Sequence, residues 1–191
     1  MEKLRNLDHK IFNYLNNFTG CNNFFDNLTI FIAVYLIYFV PLLFVILWFA
    51  YKKMQKVLLK AFSAGLLAWF GLCNLIGAIH YRARPFTAQA NAKELVFHRP
   101  DRSFPSDHSA FLFAIAFTLW FLGYKKLSAV IFVIAVFVSF FRVVAGIHYP
   151  ADIVAGLMVG FIAALIIWFL RDPLDIIFNP LIALAKKLRL A

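Results

Sequence analysis

The chain has 191 residues, of which 63% are hydrophobic and 15% are charged, and its mean hydropathy is +0.81. This composition excludes a soluble globular domain, in which about 45–50% of residues are apolar and about 25% are charged. The formal net charge of +10 is spread through short loops without a nucleic-acid-binding pattern, which excludes a nucleic-acid partner and favours anionic membrane lipids. Two cysteines are too few for a disulfide framework or a thiolate metal site.

The first predicted element is an amphipathic helix within residues 1–25. Apolar residues recur there at helical spacing among basic ones, which is typical of a helix that lies in the membrane interface.

Five uncharged apolar runs follow and predict transmembrane helices over residues 28–50, 61–79, 109–123, 127–141 and 153–170. Because about 20 residues are needed to cross the hydrocarbon layer, the third and fourth runs are short, and a re-entrant path is an alternative for them. The tail, residues 173–191, again mixes apolar and basic residues and predicts a second interfacial segment. The chain is therefore predicted to be one domain, residues 1–191, with an all-α, multi-pass bundle of about five to six spans over residues 28–170.

Loop charge indicates the orientation of this bundle. Lysines and arginine cluster after the first, third and fifth runs, as expected of cytoplasmic loops. The opposite loops also contain basic residues, so the charge bias decides the orientation only if the arginines of the motifs below are set aside. We expect a plasma (inner) membrane protein whose polar motifs lie on the extracytoplasmic face.

Three polar stretches carry the candidate chemistry, at residues 82–85, 105–108 and 142–152. With five spans, the connections that follow the second and fourth runs emerge on the same face of the membrane, so all three stretches lie on that face whichever way the bundle is oriented. Arginines, histidines and a serine are otherwise scarce in so apolar a chain, so their clustering predicts a phosphate site.

His148 and Asp152 lie four residues apart around Pro150, at the start of the fifth predicted span. This spacing places the two side chains on one helix face, where Asp152 can accept a hydrogen bond from one imidazole nitrogen. The other nitrogen is then free to attack phosphorus. A structural role at the helix N-terminus is the alternative for Asp152, and an interfacial position is the alternative for His148.

Ser106 lies where the third span begins and is predicted to be its N-cap. The amides of a helix N-terminus bind anions, so Ser106 and His108 would face the same phosphate, and His108 would protonate the leaving oxygen. Arg84 and Arg142 would bind phosphate oxygens, with Arg82 as a plausible third ligand. A helix-dipole role is the alternative for Arg84 and Arg142. Headgroup contact or simple solvation is expected for Lys93, His98, Arg99 and Arg102.

The order Arg-Pro, Pro-Ser-x-His and Arg-x5-His-x3-Asp resembles the type 2 phosphatidic-acid phosphatase superfamily. The resemblance covers the chain from the second to the fifth span. It implies that His148 is the nucleophile and forms a phosphohistidine, that Asp152 orients it and that His108 is the general acid. It further implies that Arg84, Ser106 and Arg142 bind phosphate, and that neither a metal nor another cofactor is needed.

The sequence departs from the family pattern in its first motif. A lysine usually lies seven residues before the motif arginine, but Gly77 is at that position here. Arg82 is the predicted replacement for the missing charge. Phe141 also precedes Arg142 where serine is common, and Asp107, included among the phosphate-site residues, replaces a frequent glycine.

Phe-Pro-Ser-Asp-His and His-Tyr-Pro-Ala-Asp, together with the missing lysine, resemble undecaprenyl-diphosphate phosphatases of the bacitracin-resistance type. This resemblance implies a metal-independent lipid phosphatase that acts on a polyprenyl diphosphate among membrane lipids, with no obligate protein partner. One alternative is a phosphatase for phosphatidylglycerophosphate, phosphatidic acid or lipid A. The other is a non-catalytic lipid-binding or transport protein on the same fold.

Overall fold

The structure is a computed structural model that describes residues 2–188 and 190. Its helices, numbered α1 to α8 in chain order, are α1 (Glu2–Asn16), α2 (Asn23–Ala50), α3 (Lys52–Ile79), α4 (Pro85–Ala88), α5 (Asp107–Phe121), α6 (Lys125–Val144), α7 (Pro150–Phe169) and α8 (Arg171–Lys187). Within the described residues, β-structure is limited to one antiparallel bridge between Ala83 and Arg102. The prediction of an all-helical membrane bundle is confirmed.

Four of these helices, α2, α3, α6 and α7, are long and apolar enough to cross a membrane. Helix α5, with 15 residues, corresponds to the third predicted span but is shorter than these four, because a helix of that length extends only about 22 Å. It nevertheless lies at the centre of the bundle, and most of its residues are buried against α3, α6 and α7. Since the surrounding helices rather than lipid cover it, α5 does not have to match the bilayer thickness.

Helices α5 and α7 approach each other closely through two glycines. A Cβ atom added at Gly160 would lie 2.7 Å from the carbonyl oxygen of Ala110, and one added at Gly156 would lie 2.7 Å from that of Ser106. These distances leave no space for a side chain. The two glycines therefore fix the separation of the helices that carry the second and third polar stretches.

Helix α2 begins before the predicted apolar run. The Asn22 side chain accepts a hydrogen bond from the main-chain N–H of Phe24 at 2.7 Å, so the helix starts within residues 1–25, which the sequence assigned to the interfacial segment. Two of the long helices also contain wider π-helical stretches, Phe31–Tyr35 in α2 and Leu67–Cys73 in α3. Such stretches often occur near functional sites.

The two terminal helices pack at opposite ends of the bundle. Helix α1 lies against α6 and α7, and α8 lies against the start of α3, where Asp175 pairs with Lys56 at 3.2 Å and with Lys60 at 2.7 Å. These two ammonium groups lower the pKa of the Asp175 carboxyl group, chiefly through the hydrogen bond from Lys60. Residues 1, 189 and 191, at the ends of the two predicted interfacial segments, lie outside the described residues. The interfacial location of α1 and α8 stays a prediction.

Candidate active site

Main-chain hydrogen bonds join the three polar stretches. The N–H of Ser103 donates to the carbonyl oxygen of Arg82 at 2.8 Å, next to the bridge between Ala83 and Arg102. The N–H of Ser106 donates to the carbonyl oxygen of Asp152 at 3.0 Å. These contacts bring the segment before α5 into register with the segment after α3 and with the first turn of α7. Main-chain contacts thus hold the segments of the three polar stretches together.

His148 lies in the loop between α6 and α7, residues 145–149, and is almost fully buried. Its Nδ1 is 2.9 Å from the carbonyl oxygen of Ser103, which can only accept, so Nδ1 is assigned the proton. Nε2 then carries the lone pair and faces Nη1 of Arg84 at 3.4 Å. The imidazole is therefore oriented as a nucleophile would be, with its free nitrogen directed at a cation.

Asp152 is completely buried and lies behind the imidazole. One carboxylate oxygen, Oδ2, is 3.6 Å from Nδ1 of His148, which is longer than a hydrogen bond, and accepts from the Ser103 hydroxyl and from the N–H of Tyr149 at 2.8 Å. The predicted direct hydrogen bond between Asp152 and His148 is therefore not formed, because Nδ1 lies closer to the Ser103 carbonyl oxygen. Asp152 also completes the N-terminus of α7 through Tyr149, so the structural role foreseen for it holds at the same time.

Arg84 is buried and held on two sides. Its Nε donates to Asp101 at 2.7 Å, and its Nη1 donates to the carbonyl oxygen of Ile147 at 2.9 Å. These bonds hold the guanidinium beside Nε2 of His148, at the position where an attacked phosphoryl group would carry its charge.

Arg142 and Ser106 contribute buried donors that lack partners. Arg142 is in the last turn of α6, and its Nη1 donates to the carbonyl oxygen of Ala33, in the π-helical stretch of α2, at 3.1 Å. Its Nε and the Ser106 hydroxyl are buried, and neither has a hydrogen-bond partner among the described residues. Ser106 occupies the predicted N-cap position of α5, yet its side chain does not cap the helix. A buried unpaired donor is costly, so both groups suit an anionic ligand.

Burial and nearby cations favour the neutral form of the His148 imidazole. Burial lowers the pKa of His148 well below its ordinary value, and the nearby charges of Arg142 and then Arg84 lower it further. His98 experiences the same field, since burial and then Arg84 lower its pKa. Only a neutral imidazole can act as a nucleophile, so these cations favour the form of His148 that could attack a bound phosphoryl group, and their charge suits an anion.

His108 and Asp107 occupy the first turn of α5. The imidazole of His108 lies against the indole of Trp69, with ring centroids 5.0 Å apart. The Asp107 carboxylate is held by Nη2 of Arg102 at 3.3 Å. Because a carboxylate repels phosphate, the part of Asp107 that suits an anion is its main-chain N–H at the helix N-terminus.

Arg82 lies on the far side of Asp152 from the imidazole. Its Nη1 binds Oδ1 of Asp152 at 2.9 Å, its Nη2 binds Oδ2 of Asp8 at 2.5 Å, and its guanidinium stacks on the Tyr149 ring. The structure therefore does not place Arg82 with Arg84 beside Nε2 of His148.

The space beside Gly77 is filled by another arginine. A Cβ atom at Gly77 would clash with Nε of Arg102, whose Nη2 donates to Asn74 at 2.6 Å. The charge at this position of α3 thus comes from a loop residue for which sequence reasoning expected headgroup contact or solvation. Ser103, Asp101 and Asp8 were missed altogether, and no sequence pattern marked them.

The side chains of the site suit an anion better than a metal ion. Across residues 2–188 and 190, no group of three or more His, Cys, Asp or Glu side chains is arranged to hold a metal ion. The donors at the site are guanidinium, hydroxyl and amide groups, which suit an anion. Together with a neutral imidazole, they can hold a phosphoryl group and attack it.

Known proteins are similar to this chain in sequence and in fold. The family model described as PAP2 superfamily matches residues 72–174. "Bacitracin transport permease protein BcrC" of Bacillus licheniformis is 31% identical over 171 residues, covering 89% of this chain and 83% of the relative. "Undecaprenyl-diphosphatase BcrC" of Bacillus subtilis is 28% identical over 183 residues, covering 95% of this chain and 91% of the relative. The crystal structure of Aquifex aeolicus LpxE superposes with a TM-score of 0.65 at 27% identity, covering 84% of this chain and 94% of that one.

Proposed function

Since the chain belongs to the PAP2 superfamily, we propose that it removes the terminal phosphate of undecaprenyl diphosphate and releases undecaprenyl phosphate and inorganic phosphate. The observation that carries the proposal is the pair of unpartnered buried donors, Arg142 Nε and the Ser106 hydroxyl, in a site where Arg84 faces Nε2 of His148. The substrate is inferred from the Bacillus subtilis relative, whose name is that of an undecaprenyl-diphosphatase. The site would lie on the extracytoplasmic face of the plasma (inner) membrane.

The proposed reaction has two steps. In the first, Nε2 of His148 attacks the terminal phosphorus, the bond from that phosphorus to the bridging oxygen breaks, and His108 gives a proton to the departing lipid phosphate. In the second, a water molecule attacks the phosphohistidine, loses a proton to His108 and displaces Nε2 as inorganic phosphate leaves. Arg84, Arg142 and Ser106 would bind the phosphoryl oxygens while charge accumulates on them.

Two features favour His148 as the attacking group. The Ser103 carbonyl fixes the proton on Nδ1, and Oδ2 of Asp152, at 3.6 Å, is close enough to stabilise the positive charge that the ring gains on attack. No metal is needed in this scheme, because the arginines provide the positive charge.

The proposal predicts an unusually acid-tolerant enzyme. Protonation of His148 removes the lone pair, so kcat/KM should fall only as the pH drops through the pKa of this group. Because burial, Arg142 and Arg84 lower that pKa well below 6.5, activity should persist below pH 6.5. The measurement is the pH dependence of kcat/KM for phosphate release at constant ionic strength. An acid limb at or above pH 6.5 that does not coincide with ionisation of the substrate's own terminal phosphate would contradict a lowered pKa of His148 as the attacking group.

The substrate and the absence of a metal requirement are tested together by phosphate release from purified protein. The panel contains undecaprenyl diphosphate, phosphatidylglycerophosphate, phosphatidic acid and lipid A in the same detergent, each with and without EDTA. We expect the highest kcat/KM for undecaprenyl diphosphate and the same rate with EDTA. A higher kcat/KM for another lipid would reassign the substrate, and loss of activity in EDTA would point to a metal-dependent reaction.

A non-catalytic transport or binding function is the second candidate, and the transport name of the Bacillus licheniformis relative favours it. The same phosphate-release assay separates the two functions, since a transporter would release no phosphate from any lipid of the panel. The complete set of nucleophile, orienting carbonyl and buried phosphate donors supports hydrolysis.

A further inference from the structure

Hydrogen bonds connect α1 and the turn after it to both ends of the segment that carries His148. At the carboxyl end of α1 and in the turn that follows it, the Asn16 amide and the Thr19 hydroxyl both donate to the carbonyl oxygen of Val144, at 2.9 and 2.7 Å. Near the middle of α1, Asp8 accepts from the N–H of Ala151 at 2.8 Å. The loop of residues 145–149 is thus held by α1 on both sides.

Asp8 also holds Arg82, which in turn holds Asp152. The guanidinium lies between two carboxylates that are both buried, with Nη2 on Asp8 and Nη1 on Asp152. The Tyr149 ring lies under the guanidinium at 3.8 Å, and His9 stacks against Tyr149 with centroids 5.0 Å apart. Two ion pairs and one aromatic contact, with a Tyr149 ring that His9 holds in turn, therefore restrict this arginine to one orientation.

We propose that Asp8 is a positioning residue for His148 and Asp152 and that it acts through Arg82. This inference rests on the function proposed above. Arg82 takes Oδ1 of Asp152, which leaves Oδ2 for the Ser103 hydroxyl and the N–H of Tyr149. The carboxylate plane is then fixed, and with it Ser103, whose carbonyl oxygen orients His148. A residue of the amino-terminal helix thereby sets the direction of an imidazole 140 positions later in the chain.

The space around Arg82 explains why it needs a second carboxylate. The arginine borders a cavity of about 450 Å³ that is also lined by Arg5 and His80. Without Asp8, the guanidinium has room to turn toward this cavity, and Asp152 would lose its fixed partner. Losses of this positioning kind reach about 10²-fold in rate.

The test compares kcat and KM for phosphate release from undecaprenyl diphosphate in wild type, Asp8→Asn, Arg82→Gln and the double variant. Asparagine has the volume of aspartate and can still accept from Ala151, so the fold should be retained. We expect kcat to fall about tenfold in Asp8→Asn with KM within about twofold, as for a misaligned rather than an unbound substrate. Because both residues act through one ion pair, the double variant should be no slower than Arg82→Gln alone.

Asp26→Asn is the matched control, since Asp26 is also a carboxylate near the amino terminus but binds only the N–H of Gly20 in the described structure, at 3.0 and 3.1 Å. It should retain wild-type kcat. Wild-type kcat in Asp8→Asn, or additive losses in the double variant, would overturn the proposal.

If Asp8→Asn does not fold, Arg82→Gln decides alone. A lower kcat at unchanged KM supports positioning, whereas a higher KM at unchanged kcat supports phosphate binding by Arg82 and overturns the proposal. The function itself is tested separately by His148→Ala, so a failure of Asp8 and a failure of the phosphatase mechanism are distinguishable.

Discussion

Replacing His148 with Ala will lower phosphate release from undecaprenyl diphosphate by about 10³-fold or more, because the variant lacks the atom that attacks phosphorus. Arg84 would remain in place through Asp101 and Ile147, so the site should still bind the lipid. The measurement is kcat with purified protein whose melting temperature in detergent matches that of the wild type. His148→Gln should be equally inactive.

A chemical signature accompanies this loss. Wild type quenched during turnover with substrate labelled in the terminal phosphate should contain a protein-bound phosphate that is stable in base and labile in acid, as expected for phosphohistidine, and His148→Ala should contain none. His80→Gln is the control, because His80 has an edge-on contact with Phe104 outside the His148 loop and should leave kcat unchanged. Wild-type activity in folded His148→Ala would eliminate the mechanism.

Replacing Arg142 with Lys should cost about 10²–10³-fold in kcat/KM even though the charge is kept. Lysine carries all of its N–H donors on one nitrogen, so it cannot reproduce the two separate donor positions of Arg142, with Nη1 on the Ala33 carbonyl and Nε available to phosphate. The loss should appear in single-turnover rates as well as in steady state, since the lost bond is one to the phosphoryl group.

Arg171→Lys is the matched control for this change. Arg171 stacks on Trp168 and donates to its carbonyl oxygen at the opposite end of α7 from the polar stretches, so the same substitution there should have no effect on kcat/KM. If Arg142→Lys retained wild-type kcat/KM, the unpaired Nε would have no role in binding phosphate, and Arg142 would be a structural residue that secures α2 to α6.

The sequence predicted the helical bundle because unsatisfied polar groups are costly in lipid. A segment that crosses the membrane is therefore an apolar helix, which is visible in the sequence as an apolar run. The ends of the helices were harder to predict. The start of α2 depends on one side-chain bond from Asn22, and the π-helical stretches Phe31–Tyr35 and Leu67–Cys73 interrupt a composition that is uniformly apolar. Apolar runs without polar residues have no periodicity from which a wider turn could be detected.

The site shows a similar division. Arg84, Ser106, His148 and Asp152 were predicted because their spacing places them at helix ends on one face, and the backbone contacts bring their segments together. The Ser103 carbonyl was not predictable, since a main-chain acceptor has no residue signature. The packing of Arg102 against Gly77 and the ion pair between Asp8 and Arg82 were missed for a different reason. Both contacts join residues that are distant in sequence, and only the folded structure shows which side chains lie together.

The wide turn in α2 makes the length of that helix part of the phosphate site. A π-helical turn contains one residue more than the α-helical turn it replaces. Deleting one residue between positions 31 and 35 would therefore replace the wide turn with a regular α-helical turn and leave the two parts of α2 nearly in phase. Deleting one residue from the regular turns before it, between positions 26 and 30, would instead rotate the amino-terminal part of α2 by about 100° relative to the rest. Phe25 would then leave Phe141, from which its ring centroid is now 6.1 Å away, or the Ala33 carbonyl would turn from Arg142. The proposed phosphate site is therefore less sensitive to a change of one residue within the wide turn than to the same change in the regular turns beside it.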